Sequence, residues 1–210
     1  FRDGAGNMYY TSGTIVLDKT PPVVTGVANG SFYTADVTPV FDDGTATLNG
    51  APFVSGTKVS VEGKYTLVVT DTAGNTTTVT FTLDKTAPTG TLAINNGATH
   101  TNNQDVILQI DATDVSSRVK MKLSNDNISW SALEDVATAK SWKLTNGDGQ
   151  KTVYLQLIDE AGNPHDLQAS ITLDTVAPAV TGVENNKLYN QSVTISFNED
   201  NTSNITISAV

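Results

Sequence analysis

Carboxylates recur at two kinds of place along the chain. The stretch DTAGNTTTVTFTLDKTAP at residues 71–88 carries Asp71 in a Gly-Asn turn and Asp84 in a proline-ended linker. The same pairing returns as DGAGN (3–7) with LDKTPP (17–22), and as DEAGN (159–163) with LDTVAP (173–178). Carboxylates, Asn side-chain oxygens and backbone carbonyls are hard donors, the set that Ca²⁺ takes six to eight at a time. Carboxylates gathered without a counter-charge repel one another, and some protonate or splay apart. The pattern therefore points to cation binding wherever the fold brings these acids together. Asp, Gly and Asn are also good turn formers in their own right, so a single D-x-A-G-N is first of all a hairpin turn.

The elements that must position these residues are short strands. Tyr65, Leu67 and Val69 alternate before DTAGN, and Val79, Phe81 and Leu83 alternate after it, the signature of half-buried antiparallel strands. DTAGN is the turn between them, with Gly74 free to take a positive φ. Val153, Leu155 and Leu157 alternate before DEAGN, and Leu167, Ala169, Ile171 and Leu173 after it. Spacing between linkers divides the chain into 1–19 (a C-terminal hairpin), 20–85, a longer 86–175, and 176–210 (the N-terminal part of a further module). The start of the last, VTGVENNKLYNQSVTISFNED, parallels VTGVANGSFYTADVTPVFDD at 24–43. Within 86–175, strands are predicted at 91–94, 106–110, 118–123, 128–131, 141–144, 152–158 and 167–173. Val119, Met121 and Leu123 should face a core, with Arg118, Lys120 and Lys122 facing water. Seven short strands in about ninety residues match an immunoglobulin-like sandwich. The fold class expected is all-β: tandem antiparallel sandwiches in an elongated array.

The repeated D-x-A-G-N … L-D-x-T-x-P pattern resembles the bacterial immunoglobulin-like (Big) domains. TLNGAPFVSGTKVSVEGKYTLVVTDTAGN at 47–75 is similar to that family, and SNDNISWSALEDVATAKSWKLTNGDGQKTVYLQLIDEAGN at 124–163 to a longer subtype. The resemblance spans nearly the whole chain. It implies an extracellular context, on a bacterial cell surface or in a secreted protein, where such domains run in tandem.

Strand direction assigns the acids to junctions. One strand of about eight residues, at ~3.3 Å each, separates Asp71 from Asp84 by roughly 27 Å, so the two cannot share an ion. The last strand of a module runs towards the next module and the strand before it runs back, which puts each D-x-A-G-N turn beside the preceding linker. Asp18 should meet Asp71 and Asn75, with Asp42 and Asp43 from a neighbouring loop. Asp84 should meet Asp159 and Asn163, with Asp111 and Asp114. Asp174 should meet Asn198, Glu199 and Asp200. Asp3 and Asn7 would serve a junction upstream. Glu62 and Asp148, at the opposite end of their modules, reach towards the junction that follows and rank below the others. Ca²⁺ is the expected ion, most favoured at Asp84.

Other chemistry is excluded or unsupported. The formal charge of −10, from 22 acidic and 12 basic residues, leaves no phosphate-neutralising surface, so nucleic acid is not a partner. With no cysteine there is neither a disulfide framework nor thiolate chemistry. His100 and His165 are expected in exposed loops and lack metal-ligand spacing. No nucleophile elbow, P-loop or dinucleotide fingerprint occurs, so no enzyme is expected. No signal peptide, lipid-attachment motif or membrane-inserting run is legible, and the chain opens inside what reads as a repeat. Trp130 and Trp142 are expected in or beside one core, leaving Tyr154 as the more exposed aromatic. The expected role is a spacer or lattice segment of a surface-layer protein or adhesin, its junctions stiffened by calcium. The alternative is an accessory region of a secreted polysaccharide-active enzyme, giving spacing or weak carbohydrate binding. Expected partners are neighbouring domains of the same chain, other copies in a surface lattice through open strand edges, or host or cell-wall glycan or protein.

Overall fold

The computed structural model describes residues 1–114 and 118–197. Asn198, Glu199 and Asp200, expected opposite Asp174, lie outside the described residues. The fold is all-β.

Seven strands build the first sandwich: β1 (Val24–Thr25), β2 (Ser31–Tyr33), β3 (Val40–Phe41), β4 (Thr45–Leu48), β5 (Ala51–Phe53), β6 (Gly63–Thr70) and β7 (Thr76–Leu83). The period-2 pattern sends Leu67 and Val69 of β6, and Val79, Phe81 and Leu83 of β7, onto one buried face. The sheet runs β2-β7-β6-β4-β5, and the β1–β3 pair closes over its core of Val27, Val37, Ala46 and Val59. Tyr65 stacks on Phe81 with ring centroids 5.2 Å apart, and Tyr33 meets Phe81 edge-on at 6.2 Å. Each arrangement lets the negative face and positive edge of the rings avoid like contact.

The second sandwich has eight strands among the described residues: β8 (Thr89–Ile94), β9 (His100–Thr101), β10 (Asp105–Thr113), β11 (Lys120–Ser124), β12 (Glu134–Asp135), β13 (Ala139–Lys143), β14 (Gly149–Ile158) and β15 (Pro164–Leu173). A β13-β10-β8 sheet faces a β12-β11-β14-β15-β9 sheet. Val106, Leu108, Met121, Leu123, Val153, Leu155 and Leu157 fill the space between, each contributing about 1.5–3 kcal/mol by leaving water. Beyond it, β16 (Val180–Thr181) pairs with β17 (Ser196–Phe197) in the register that β1 keeps with β3.

Both linkers leave from the end of a parallel ladder. Tyr33 of β2 pairs with Leu83 of β7, and the Asp84 N–H continues the ladder onto the Tyr33 carbonyl at 2.9 Å. Thr101 of β9 pairs with Leu173 of β15, and the Asp174 N–H donates to the Thr101 carbonyl at 3.0 Å. The linker aspartates are thus anchored to the sheet before any side chain acts.

Three local expectations change. The strand expected at 128–131 is a turn, and the edge strand that flanks β11 on the side away from β14 is β12, with Lys120 opposite Asp135. Asp126 decides this: its Oδ1 accepts from the Ile128 and Ser129 amides (2.8 and 2.7 Å) and from the Ser124 hydroxyl (2.8 Å). The turn leaves Ile128 83% exposed. Trp142 packs against the core with its indole N–H on Asn125 Oδ1 at 2.8 Å, whereas Trp130 lies under the Lys122 ammonium, 4.9 Å from the ring centroid. His100 and His165 sit in β9 and β15 rather than in loops.

The amide donors around Asp126, those of Ser129 and Ile128 foremost, hold its carboxyl well below the usual carboxylate range. A depressed folded value means that the unfolded chain binds the proton first, so the stability Asp126 contributes is full at neutral pH and lost on acidification. Asp126→Ala should therefore lower the melting temperature of this sandwich at pH 7, and the gap to wild type should close as pH falls below the carboxylate range. A gap independent of pH would contradict this.

Candidate metal centre at the linker

The D-x-A-G-N turn has one construction wherever it occurs. The Asp159 amide donates to the Asn163 carbonyl (3.3 Å), and the Gly162 amide to the Asp159 carbonyl (3.3 Å). Asp159 Oδ1 accepts from the Gly162 and Asn163 amides at 2.7 and 2.8 Å, and Oδ2 from Asn163 Nδ2 at 2.8 Å. Gly162 turns the chain at φ +97°, as Gly74 does at +91°. Asp71 and Asn75 repeat the clasp at 2.8 Å for both bonds, as do Asp3 and Asn7 at 2.9 and 2.7 Å. The Asn75 side chain, then its amide, hold the Asp71 carboxyl below its ordinary value against the opposing effect of burial.

Asn75 and Asn163 each have a second amide hydrogen, and it goes to a linker. Asn163 Nδ2 donates to the Asp84 carbonyl at 2.9 Å, and Asn75 Nδ2 to the Asp18 carbonyl at 3.3 Å. The turn therefore braces itself through Asp and grips the incoming linker through Asn. These are contacts across 79 and 57 residues of sequence.

At Asp84 the acids converge. Asp84, Asp114 and Asp159 each place a carboxylate oxygen within 4.8 Å of the others. Asp84 is fully buried; its Oδ1 accepts from the Thr86 amide at 3.2 Å, while its Oδ2 is buried with no hydrogen-bond partner. Burial foremost, and the charges of Asp114, Asp159 and Glu62, push its carboxyl above the usual carboxylate range, opposed by the Thr86 N–H. Two unit charges about 5 Å apart repel by about 3 kcal/mol at an effective dielectric of about 20. That exceeds what a surface ion pair returns, so a trio of ionised acids here needs a cation or a proton. The donors are all oxygens, from a linker, a loop and a turn far apart in sequence. This fits a hard divalent cation, with backbone carbonyls to complete its shell.

The remaining candidates fall elsewhere. Asp111 lies inside β10, paired with Thr91 and exposed, three residues short of Asp114 of the cluster. Asp18 is exposed and caps its own linker through the Thr20 amide (3.0 Å). Asp42 Oδ1 accepts from the Val23 amide at 2.8 Å, and Asp43 Oδ1 from the Gly44 amide at 2.6 Å. Register makes Asp43 the counterpart of Asp114, since each stands two residues past the partner of β-residue Val24 or Gly90 (Phe41 and Ala112). Among the described residues Asp18, Asp43 and Asp71 do not form a group like that at Asp84. Asp174 Oδ1 accepts from the Val176 amide at 3.0 Å. Glu62 and Asp148 bind the linkers themselves, a role that sequence reasoning underrated because each lies more than twenty residues upstream of its linker.

The chain is 33% identical over 178 residues to an outer cell wall protein of Brevibacillus brevis, a match covering 72% of this chain and 17% of the length of that relative. No protein-family model matches the chain. Among solved structures it is similar to fibronectin(III)-like modules of CbhA from Clostridium thermocellum (TM-score 0.42, 13% identity, 72% of this chain and 93% of that one). It is also similar to a tetra-tandem repeat from the extending region of a large adhesion protein (TM-score 0.36, 22% identity, 79% of this chain and 52% of that one). Among the described residues, no helix is long and apolar enough to cross a membrane.

Proposed function

We propose that this chain is a structural segment of a bacterial cell-surface protein, in which successive immunoglobulin-like domains (20–85 and 86–175) act as a spacer and a calcium ion clamps the junction between them. The observation that carries the ion is the buried, unpartnered Oδ2 of Asp84 beside the carboxylates of Asp114 and Asp159. The similarity to an outer cell wall protein supports the cell-surface setting. Asp84, Asp114 and Asp159 would hold the ion, which supplies charge neutralisation and no reaction. Asn163 keeps the linker carbonyl and the Asp159 carboxylate in place beside it.

The role follows from the wiring. A linker joined to the next sandwich by one amide hydrogen bond is free to hinge, because one such bond contributes only about 0.5–1.5 kcal/mol. An ion bound by acids from both sides ties the hinge. Calcium at a hundred times its dissociation constant adds about 2.7 kcal/mol to the state that binds it. Thermal unfolding in saturating calcium should therefore occur at a higher temperature than in EDTA. Identical transitions in the two buffers would sink the proposal.

A further inference from the structure

The linker is held from behind as well as from ahead. Glu62 directly precedes β6 and accepts from the Lys85 amide at 2.5 Å and from the Thr86 hydroxyl at 3.0 Å on each oxygen. The Lys85 ammonium pairs with Asp36 and donates to the Ser60 carbonyl at 2.8 Å. Asp148 directly precedes β14 and does the same at the next linker, accepting from the Thr175 amide at 3.1 Å and the Thr175 hydroxyl at 2.8 Å. In both cases the gripped amide belongs to the residue immediately after the linker aspartate. The two loops share no sequence beyond an acid followed by Gly, in VEG and GDG, so the recurrence lies in the geometry.

We propose that Glu62 is a positioning residue of the junction: by gripping Lys85 and Thr86 it fixes the Asp84 carboxylate before the next sandwich brings Asp114 and Asp159, and Asp148 serves Asp174 in the same way. This rests on the cation reading of the Asp84 cluster. Each module then holds its outgoing linker with an acid and its incoming linker with the turn Asn. Holding two linker residues in advance removes conformational freedom that ion binding would otherwise have to remove, and that is how preorganisation raises affinity.

The test titrates the full chain with calcium chloride, comparing wild type, Glu62→Ala and Glu62→Gln, and follows amide exchange at Lys85 in EDTA. Glu62 is exposed, so neither substitution disturbs the core. The expected result is affinity weakened about tenfold in Glu62→Ala, a smaller loss in Glu62→Gln, which keeps an acceptor oxygen for the Lys85 amide, and faster Lys85 exchange in Glu62→Ala. Equal affinity in wild type and Glu62→Ala would overturn the assignment. If wild type takes up no calcium, the cation reading fails on its own. The grip is then decided by exchange alone, where acceleration in Glu62→Ala supports it and an unchanged rate overturns it.

Discussion

Asp84→Asn should stabilise the protein in EDTA and at the same time remove its response to calcium. In wild type, Asp84 is fully buried, one of its oxygens has no donor, and two further carboxylates stand within 4.8 Å. Asn has the same shape, keeps an oxygen for the Thr86 amide, and offers an N–H₂ to the neighbouring acids. Relief of an unpaired buried group contributes about 1–3 kcal/mol, or roughly 5–20 °C in the melting temperature of a domain this size. With calcium the sign should reverse, because the variant lacks one ligand of the proposed ion. The pH dependence gives a second reading of the same group. A carboxyl whose folded value is raised binds more protons folded than unfolded between its ordinary and its raised value. Unfolding free energy in EDTA therefore falls as pH rises through that window. Asp84→Asn should flatten this slope. If Asp84 merely caps its own linker through Thr86, as Asp18 caps Thr20, the substitution is neutral in both buffers.

Gly44→Ala should be among the most damaging single changes in the first sandwich, though it adds one methyl group. Gly44 sits at φ +86°, and a Cβ there would meet the Thr70 carbonyl oxygen at 2.1 Å, its carbon at 2.6 Å and Asp71 Cα at 2.8 Å. All three are backbone atoms, so no side chain can yield. Either β4 parts from β6 or the Asp71 turn is pushed aside. The left-handed conformation costs about 1 kcal/mol for a residue with a Cβ, and overpacking adds about 1–3 kcal/mol. A fall of roughly 10–20 °C in the transition of this sandwich is expected. Gly56→Ala is the control: Gly56 is also left-handed, at φ +79°, but nothing stands within 4 Å, so only the conformational cost of about 1 kcal/mol remains. Equal effects of the two substitutions in calorimetry would show that the close approach at Gly44 is immaterial. Gly90 has a comparable close approach in the second sandwich, where a Cβ would meet the Asp111 carbonyl oxygen at 2.4 Å.

How much of the structure is legible in the sequence depends on the range of the interaction. Alternation located β6, β7, β14 and β15, because Leu67, Val69, Leu155 and Leu157 obey the one period that a half-buried strand allows. It misled at Ile128 and Trp130, where the same alternation sits on a turn that Asp126 ties with amide hydrogen bonds. Strand direction was enough to put the Asp159 turn beside the Asp84 linker. It could not choose between Asp111 and Asp114, since that rests on where β10 ends, and one residue of register turns a side chain to the other face. Asp42 and Asp43 pose the same choice in the first sandwich. Glu62 was harder still: its partner amide at Lys85 is 23 residues away, and nothing local in VSVEGK marks a linker contact.

Calorimetric titration of calcium into the metal-free full chain, with Asp84→Asn alongside, tests the central claim most directly. The expected result is a saturable site in wild type that is missing from Asp84→Asn. Isotherms that superimpose, or a wild type that takes up no calcium, would contradict it.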